Sequence, residues 1–222
     1  MMNDAEPGDV RTLLRQLPSL AGPLWSFDAD NAPEAPQPLF ADWLRFAAEV
    51  GIHEPHAMTL SSVGPDGHPD ARMLILKDLD EDWHFASDAL SPKGRQIAGA
   101  PHVALTFYWA RLGRQVRVRG AARAMPAAAS AADFRGRSGS ARAVALLGRQ
   151  SQPLAAPSEL AEALEVSSAR LAHDPDLAPA SWTLYAVAPT EVEFWQGQAS
   201  RRHIRLVYRR TPDGWSRSRL WP

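Results

Sequence analysis

The 222-residue sequence contains no cysteine, which removes disulfides, thiolate nucleophiles and Cys-ligated zinc or iron–sulfur centres. Lysine is almost absent: of 24 basic residues, 22 are arginine and only Lys77 and Lys93 are lysines. No stretch of 18 or more uncharged apolar residues occurs, so no membrane-spanning helix is expected, and no internal repeat supports a solenoid. The start, MMNDAEPGDV, lacks the basic n-region and apolar h-region of a secretory signal, so a cytoplasmic location is expected. Neither sign of charge dominates. With 24 basic and 25 acidic residues, a formal charge of -1 and a pI near 6.7, no global field favours nucleic acid or an anionic membrane, and any anion must be held by a local cluster. Walker-type glycine loops, G-x-G-x-x-G after a strand and G-x-S-x-G elbows are also missing, which leaves nucleotide triphosphatase and serine-hydrolase readings without a starting point. His53 and His56 form H-x-x-H with a proline between them and no zincin glutamate, and read as loop histidines; no metal site is expected.

What is present is globular in composition, 45% hydrophobic and 22% charged. Residues 1–35, rich in Pro, Gly, Asp and Ala, read as a partly ordered arm, and 36–222 as a single domain. Leu39, Phe40, Trp43, Leu44, Ala47, Ala48 and Val50 recur at helical spacing behind Pro36 and Pro38, with Gly51 as the stop. From Ala57 the period becomes that of strands. AMTLSSV and ARMLILK flank the turn GPDG at 64–67 and predict a hairpin, followed by WHFAS, a short helix at SPKGRQIAGA behind Ser91, the strand HVALTFYW, the turn ARLG and the long strand RQVRVRGAARAM. Residues 126–172 carry helical segments broken by Gly136, Gly139, Pro153 and Pro157. The end returns to strands: SWTLYAVAP, EVEFWQG, HIRLVYRR and WSRSRLWP. Six to eight antiparallel strands without βαβ alternation predict a mainly β or α+β fold, a small barrel with peripheral helices.

The candidate chemistry sits at strand ends. Arg72 and Lys77 bracket MLIL five residues apart, which on a strand points them to opposite faces. Ser91-Pro92-Lys93 opens a helix, where free N–H groups, a hydroxyl and an ammonium suit a phosphate. Gln115 lies in an aliphatic strand, placed for hydrogen bonding to the edge of a planar heterocycle. In the segment 194–210, FWQGQASRRHIRLVYRR, Arg201, His203 and Arg205 alternate, so as a strand they share one face beside Trp195 and suit an anionic aromatic molecule. The same row also fits a charged edge strand protected from pairing.

The order RMLILK, FAS, SPKGRQI, GRQVRVRG, GRQS, EVEFWQG, RRHIRLVY and a terminal RLWP resembles the pyridoxine (pyridoxamine) 5′-phosphate oxidase family, from about residue 40 to the C-terminus. The resemblance implies an antiparallel, Greek-key-like FMN-binding split barrel, and a homodimer with FMN at the subunit interface. It also implies oxidation of pyridoxamine or pyridoxine 5′-phosphate to pyridoxal 5′-phosphate, with dioxygen as acceptor and hydrogen peroxide as product. Carried over by motif, the FMN contacts fall on Arg72, Met73, Leu74, Ile75, Leu76, Lys77, Ala86, Ser87, Lys93, Gln115, Gln150, Ser151, Trp195 and Arg205. The substrate site falls on Lys77, Arg137, Arg201 and His203, with Arg201 and His203 as the catalytic pair beside the ring being oxidised.

The sequence departs from the family pattern in places. Pro92 stands where an arginine usually precedes the motif lysine. Asp133 and Ala141 replace a tyrosine and a serine that help hold the substrate phosphate, and an aspartate there repels a dianion unless Ser138, Ser140 or Arg142 compensates. Thr183-Leu184 replaces a glycine pair. That feature and FASDALSPKG resemble relatives that oxidise a dihydrophenazine precursor. The alternatives to the vitamer oxidase are therefore an oxidase of such a secondary metabolite and a flavin or vitamer carrier without turnover.

Overall fold

The structure is a computed structural model and describes residues 9–222. The first eight residues of the expected arm lie outside the described residues. Among the described residues, a nine-stranded antiparallel sheet curls on itself, with six α-helices around it. The strands are β1 (Ala57–Val63), β2 (Pro69–Ile75), β3 (Asp78–Leu79), β4 (Trp83–Asp88), β5 (His102–Trp109), β6 (Arg114–Ala124), β7 (Trp182–Gln196), β8 (Ile204–Thr211) and β9 (Gly214–Arg219). The order β2-β1-β5-β6-β7-β4-β3 runs around the barrel, and the Lys77 N–H donates to His84 O at 2.7 Å, joining the end of β2 to β4. Among the described residues, no helix is long and apolar enough to cross a membrane.

The alternation in the sequence sets which side of each strand faces inward. Met58, Leu60, Leu105, Phe107, Val116, Val118, Val192 and Phe194 are all buried. Helix α2 (Pro36–Glu49) lays Phe40 and Trp43 against this interior, where Phe40 meets Phe107 edge-on at 4.8 Å and Trp43 meets Phe194 at 5.2 Å. Each such aromatic removes enough apolar surface to contribute about 2–3 kcal/mol. Within the stretch assigned to the arm, Phe27, Ala29 and Ala32 join this core, whereas helix α1 (Val10–Gln16) buries no residue.

The two strands expected at 181–189 and 191–197 are one strand, β7. Its first half pairs with β4 and its second with β8, while β6 runs alongside both. Pro189 does not break it because the register shifts there, between Arg119 and Gly120, and the bulge absorbs the missing donor. Gly120 is required at this point, since a Cβ would lie 2.1 Å from Ala188 O. The remaining helices are α3 (Pro92–Gly99), α4 (Ala127–Arg135), α5 (Gly139–Leu146) and α6 (Pro157–His173); the last three cluster beside the β4 end of the sheet through α4–β7 and α5–α6 packing.

Candidate active site

Helix α3 starts hard against the end of β4. A Cβ at Gly94 would meet Ala89 O at 2.3 Å, so only glycine lets the helix begin there. Ser91 caps it, accepting from Gly94 N at 3.3 Å, and Pro92 occupies the first turn, where its missing N–H costs nothing. This start buries Lys93, which is 6% exposed. Its Nζ donates to Gln150 Oε1 at 2.7 Å and lies 3.5 Å from Ser91 Oγ, with no carboxylate at ion-pair distance among the described residues. Burial, and then the nearby Arg72 guanidinium, lower the Lys93 pKa. Arg72 is on the opposite face of β2 from Met73 and is tied to Ser62 Oγ, Gln96 Oε1 and Asp70.

Lys93 lies on a cavity of about 550 Å³, well within the range of small-molecule sites. Of the residues singled out by sequence, Met73, Leu74, Ile75, Lys77, Ala86, Ser87, Lys93, Arg137 and Gln150 line it. Both lysines of the chain are among them. Ser151, beside Gln150, is held at φ +66°, a strained conformation for a residue with a Cβ. Arg72, Leu76 and Ser151 do not line the cavity, and Leu76 turns into the core.

The far end of the cavity was less legible. The Trp182 Nε1–H donates to Asp133 Oδ2 at 2.8 Å, and the Arg137 guanidinium stacks on the Trp182 ring at 4.3 Å. Asp133 Oδ1 lies 3.9 Å from Lys77 Nζ. Arg137 Nε is buried without a partner, and burial lowers the Arg137 pKa while Asp133 opposes the shift. Sequence reasoning missed Trp182, Asp88 and the neighbours of Gln150 in its loop, Leu147 to Arg149 and Gln152 to Leu154, all of which line the cavity. A tryptophan opening a strand beside a serine gave no signal of this role.

Gln115, Trp195, Arg201, His203 and Arg205 line no part of this cavity. Gln115, Trp195 and Arg205 form one cross-strand row on the outer face of β6, β7 and β8, continued by Tyr108 on β5. Arg205 Nε donates to the buried Glu193 at 2.8 Å, a bond that raises its pKa. The expected alternation of Arg201, His203 and Arg205 along a strand is not found, because β8 begins only at Ile204. Arg201 sits in the preceding loop at φ +62°, with its N–H closing a turn onto Gln198 O and its Nη2 2.8 Å from Ser19 Oγ. His203 packs on Trp195 with ring centroids 4.9 Å apart, and its Nδ1 accepts from Gln198 N at 3.1 Å. That bond leaves Nε2 as the ring nitrogen free to donate. The loop is anchored from below by the fully buried Gln196, whose Nε2 donates to Leu112 O and Gly113 O and whose Oε1 accepts from Arg114 Nε. Burial pushes Arg114 down to about 10.

The family model described as pyridoxamine 5′-phosphate oxidase matches residues 45–172, and that described as the pyridoxine 5′-phosphate oxidase C-terminal dimerisation region matches 182–222. The chain belongs to this family. It is therefore an oxidoreductase, and its curled sheet is the family's split barrel. A pyridoxine/pyridoxamine 5′-phosphate oxidase of Thermosynechococcus vestitus is 42% identical over 86% of this chain and 91% of its own. A protein of the same name from Gluconobacter oxydans is 39% identical over 84% and 94%. Among solved structures, PhzG from Burkholderia lata, in complex with tetrahydrophenazine-1-carboxylic acid, superposes with a TM-score of 0.80 at 27% identity, covering 90% of this chain and 99% of that one. A pyridoxamine 5′-phosphate oxidase-related, FMN-binding protein of Nostoc punctiforme shares the fold, with a TM-score of 0.71 at 20% identity over 85% of this chain and 98% of that one.

Proposed function

We propose that this family member is an FMN-dependent oxidase that converts pyridoxamine or pyridoxine 5′-phosphate to pyridoxal 5′-phosphate, with dioxygen as acceptor and hydrogen peroxide released. One observation carries the cofactor: a buried ammonium, Lys93, without an ion-pair partner among the described residues and beside the Arg72–Asp70 pair, on a cavity of cofactor size. Such an ammonium calls for an anion, and a terminal phosphate satisfies it by charge-assisted hydrogen bonds. Lys93, Arg72, Ser87 and the Gln150-Ser151 pair would hold that phosphate, with Met73, Leu74, Ile75, Lys77 and Ala86 along the ring. Bound FMN supplies a two-electron acceptor that is reoxidised by dioxygen.

The rest falls to the chain. Lys77 and Arg137 bind the substrate's anionic group, Trp182 gives Arg137 its platform, and Arg201 and the Nε2–H of His203 orient the substrate carbon that loses hydrogen. Pyridoxine phosphate loses two electrons and two protons to dioxygen; the amine additionally takes up water and releases ammonia. The predicted contacts fall into two groups, one in the cavity and one on the outer row and its loop. This division supports a homodimer in which each site draws the second group from the partner, and the match of 182–222 to a dimerisation region agrees with it. The proposal takes residues 36–222 as one domain following an arm, in a cytoplasmic protein that uses neither nucleic acid nor membrane.

A second reading is favoured by Asp133 at the anion-binding end of the cavity. It is an oxidase of a reduced heteroaromatic carboxylate, the class of molecule bound by the Burkholderia lata relative. The test is to purify the protein, identify its flavin, and follow peroxide release with pyridoxamine phosphate, pyridoxine phosphate and a dihydrophenazine carboxylate. Yellow protein that turns over the vitamers is the expected result. Colourless protein that quenches no FMN fluorescence overturns the cofactor assignment. Flavin-loaded protein that binds a vitamer without releasing peroxide is a carrier.

A further inference from the structure

The anion-binding end of the cavity contains three charged groups that cannot be treated separately. Lys77 reaches it from the end of β2 and Arg137 from the turn after α4, and both line the cavity. Asp133, on the last turns of α4, does not line it, yet its Oδ1 is 3.9 Å from the Lys77 ammonium and its side chain is only 13% exposed. The same carboxylate accepts from Trp182 Nε1 at 2.8 Å, and the Trp182 ring carries the Arg137 guanidinium at 4.3 Å. Asp133 is thus fixed on one side by the indole and faces a cation on the other. It cannot swing to solvent without losing the hydrogen bond of a buried indole. Among the described residues, Arg137 makes one hydrogen bond, from Nη2 to the neutral Ala141 O at 3.4 Å, and its Nε has no partner.

We propose that Asp133 is a specificity-determining residue that makes this end of the cavity select a singly charged anionic group over a doubly charged one. Two cations and one fixed carboxylate leave a net charge of one. That single net charge attracts a dianion only twice as strongly as a monoanion, whereas the cost of taking the ligand out of water grows with the square of its charge, so the monoanion is the better matched group. The group recognised is a monoanion, either a carboxylate or a phosphate ester carrying its second proton. The inference rests on the reading of this cavity end as the substrate's anion site, and it fixes the charge of the group accepted there.

The experiment uses flavin-loaded protein at pH 8, where a phosphate ester is a dianion and the sulfate ester of the same shape is a permanent monoanion. Pyridoxal 5′-phosphate is compared with pyridoxal 5′-sulfate, phenyl phosphate with phenyl sulfate, and benzoate serves as the planar carboxylate. Dissociation constants are read from the flavin absorption. In the wild-type protein the sulfates bind at least as tightly as the phosphates. Asp133→Asn keeps an acceptor for Trp182 and removes the charge, so phosphate should gain about 10-fold and sulfate about 3-fold, since the interaction with Asp133 scales with ligand charge. A purely structural role for Asp133 would move both ligands alike, and equal changes overturn the proposal. If the Asp133→Asn chain fails to fold, the wild-type ratio decides: phosphate binding more than about 10-fold tighter than sulfate overturns it. Benzoate binding that strengthens like phenyl sulfate in the variant identifies carboxylates as accepted monoanions; binding of the sulfates without benzoate restricts the site to tetrahedral ones, and either outcome supports charge selection. If the phenyl pair shows the shift and neither pyridoxal ester binds, the vitamer reading falls and this one stands. If pyridoxal phosphate is bound with an unchanged ratio in the variant, the reverse holds.

Discussion

Replacing Lys93 by methionine separates the contribution of the buried ammonium to binding from its cost to folding. In the wild-type chain the ammonium is 6% exposed and, among the described residues, has only two partners, the neutral oxygens Gln150 Oε1 and Ser91 Oγ. Burial lowers its pKa, so the unfolded chain binds the proton more tightly than the folded one. Flavin-free protein therefore gains stability as pH rises from the lowered folded value toward the ordinary 10.5, and loses that gain as pH falls through the folded value. Lys93→Met fills similar volume without the charge. The variant should melt no lower than the wild type when flavin-free at neutral pH, and the gain toward high pH should vanish. Binding moves the other way. Removing one charge-assisted hydrogen bond to a phosphate costs about 1.5–3 kcal/mol, or about 10- to 150-fold in the dissociation constant of FMN. Riboflavin, which lacks the phosphate, should bind both proteins alike. Fluorescence titration with the two flavins and thermal melts across pH provide the measurements. An FMN affinity within about threefold of wild type, or an equal loss for riboflavin, would refute the assignment of Lys93 to the phosphate.

Arg201→Ala should leave flavin content intact and cut kcat/KM by roughly 30- to 1,000-fold, the equivalent of about 2–4 kcal/mol, since the lost contact is to the reacting molecule; unchanged steady-state kinetics would remove Arg201 from the site. FMN affinity should fall as pH rises above the lowered Lys93 pKa, because the ammonium that binds the phosphate is lost there, and the Lys93→Met variant should show no such fall. Gly120→Ala forces a Cβ against Ala188 O and should cost about 1–3 kcal/mol, lowering Tm by roughly 3–10 °C; an unchanged melt would show that the β6–β7 bulge relaxes freely. Sedimentation of the flavin-loaded protein should give a dimer, and a flavin-bound monomer would contradict the shared site.

The strand periods were legible because alternation is a local property: each inward residue of β1, β5 and β6 could be read two at a time. The opening of α3 at Ser91 was legible for the same reason, since capping and a first-turn proline are local signals. Two failures have a common cause. Pro189 reads as a strand end, but the register shift with Gly120 that rescues it depends on a partner some 70 residues away in the chain. Arg201, His203 and Arg205 alternate in sequence, yet the turn of Arg201 N–H onto Gln198 O and the bond between Gln198 N and His203 Nδ1 coil the first two into a loop. The division of the site into a cavity and an outer row also escaped the sequence, because it follows from which face each strand presents once the sheet has closed. Asp133 is a different case. Its position beside the anion site came from resemblance, while its engagement by Trp182 needed the α4–β7 contact.

The scarcity of lysine has a practical side. The chain carries 22 arginines but only two side-chain amines, and both lie on the cavity wall. Reagents that discriminate amines from guanidinium groups, such as active esters or formaldehyde with a borohydride, will therefore find side-chain targets only there. Reductive methylation with isotope-labelled formaldehyde would install reporters on Lys77 and Lys93, one at each end of the cavity. Their resonances would follow occupancy of the phosphate and anion ends independently, without any engineered label.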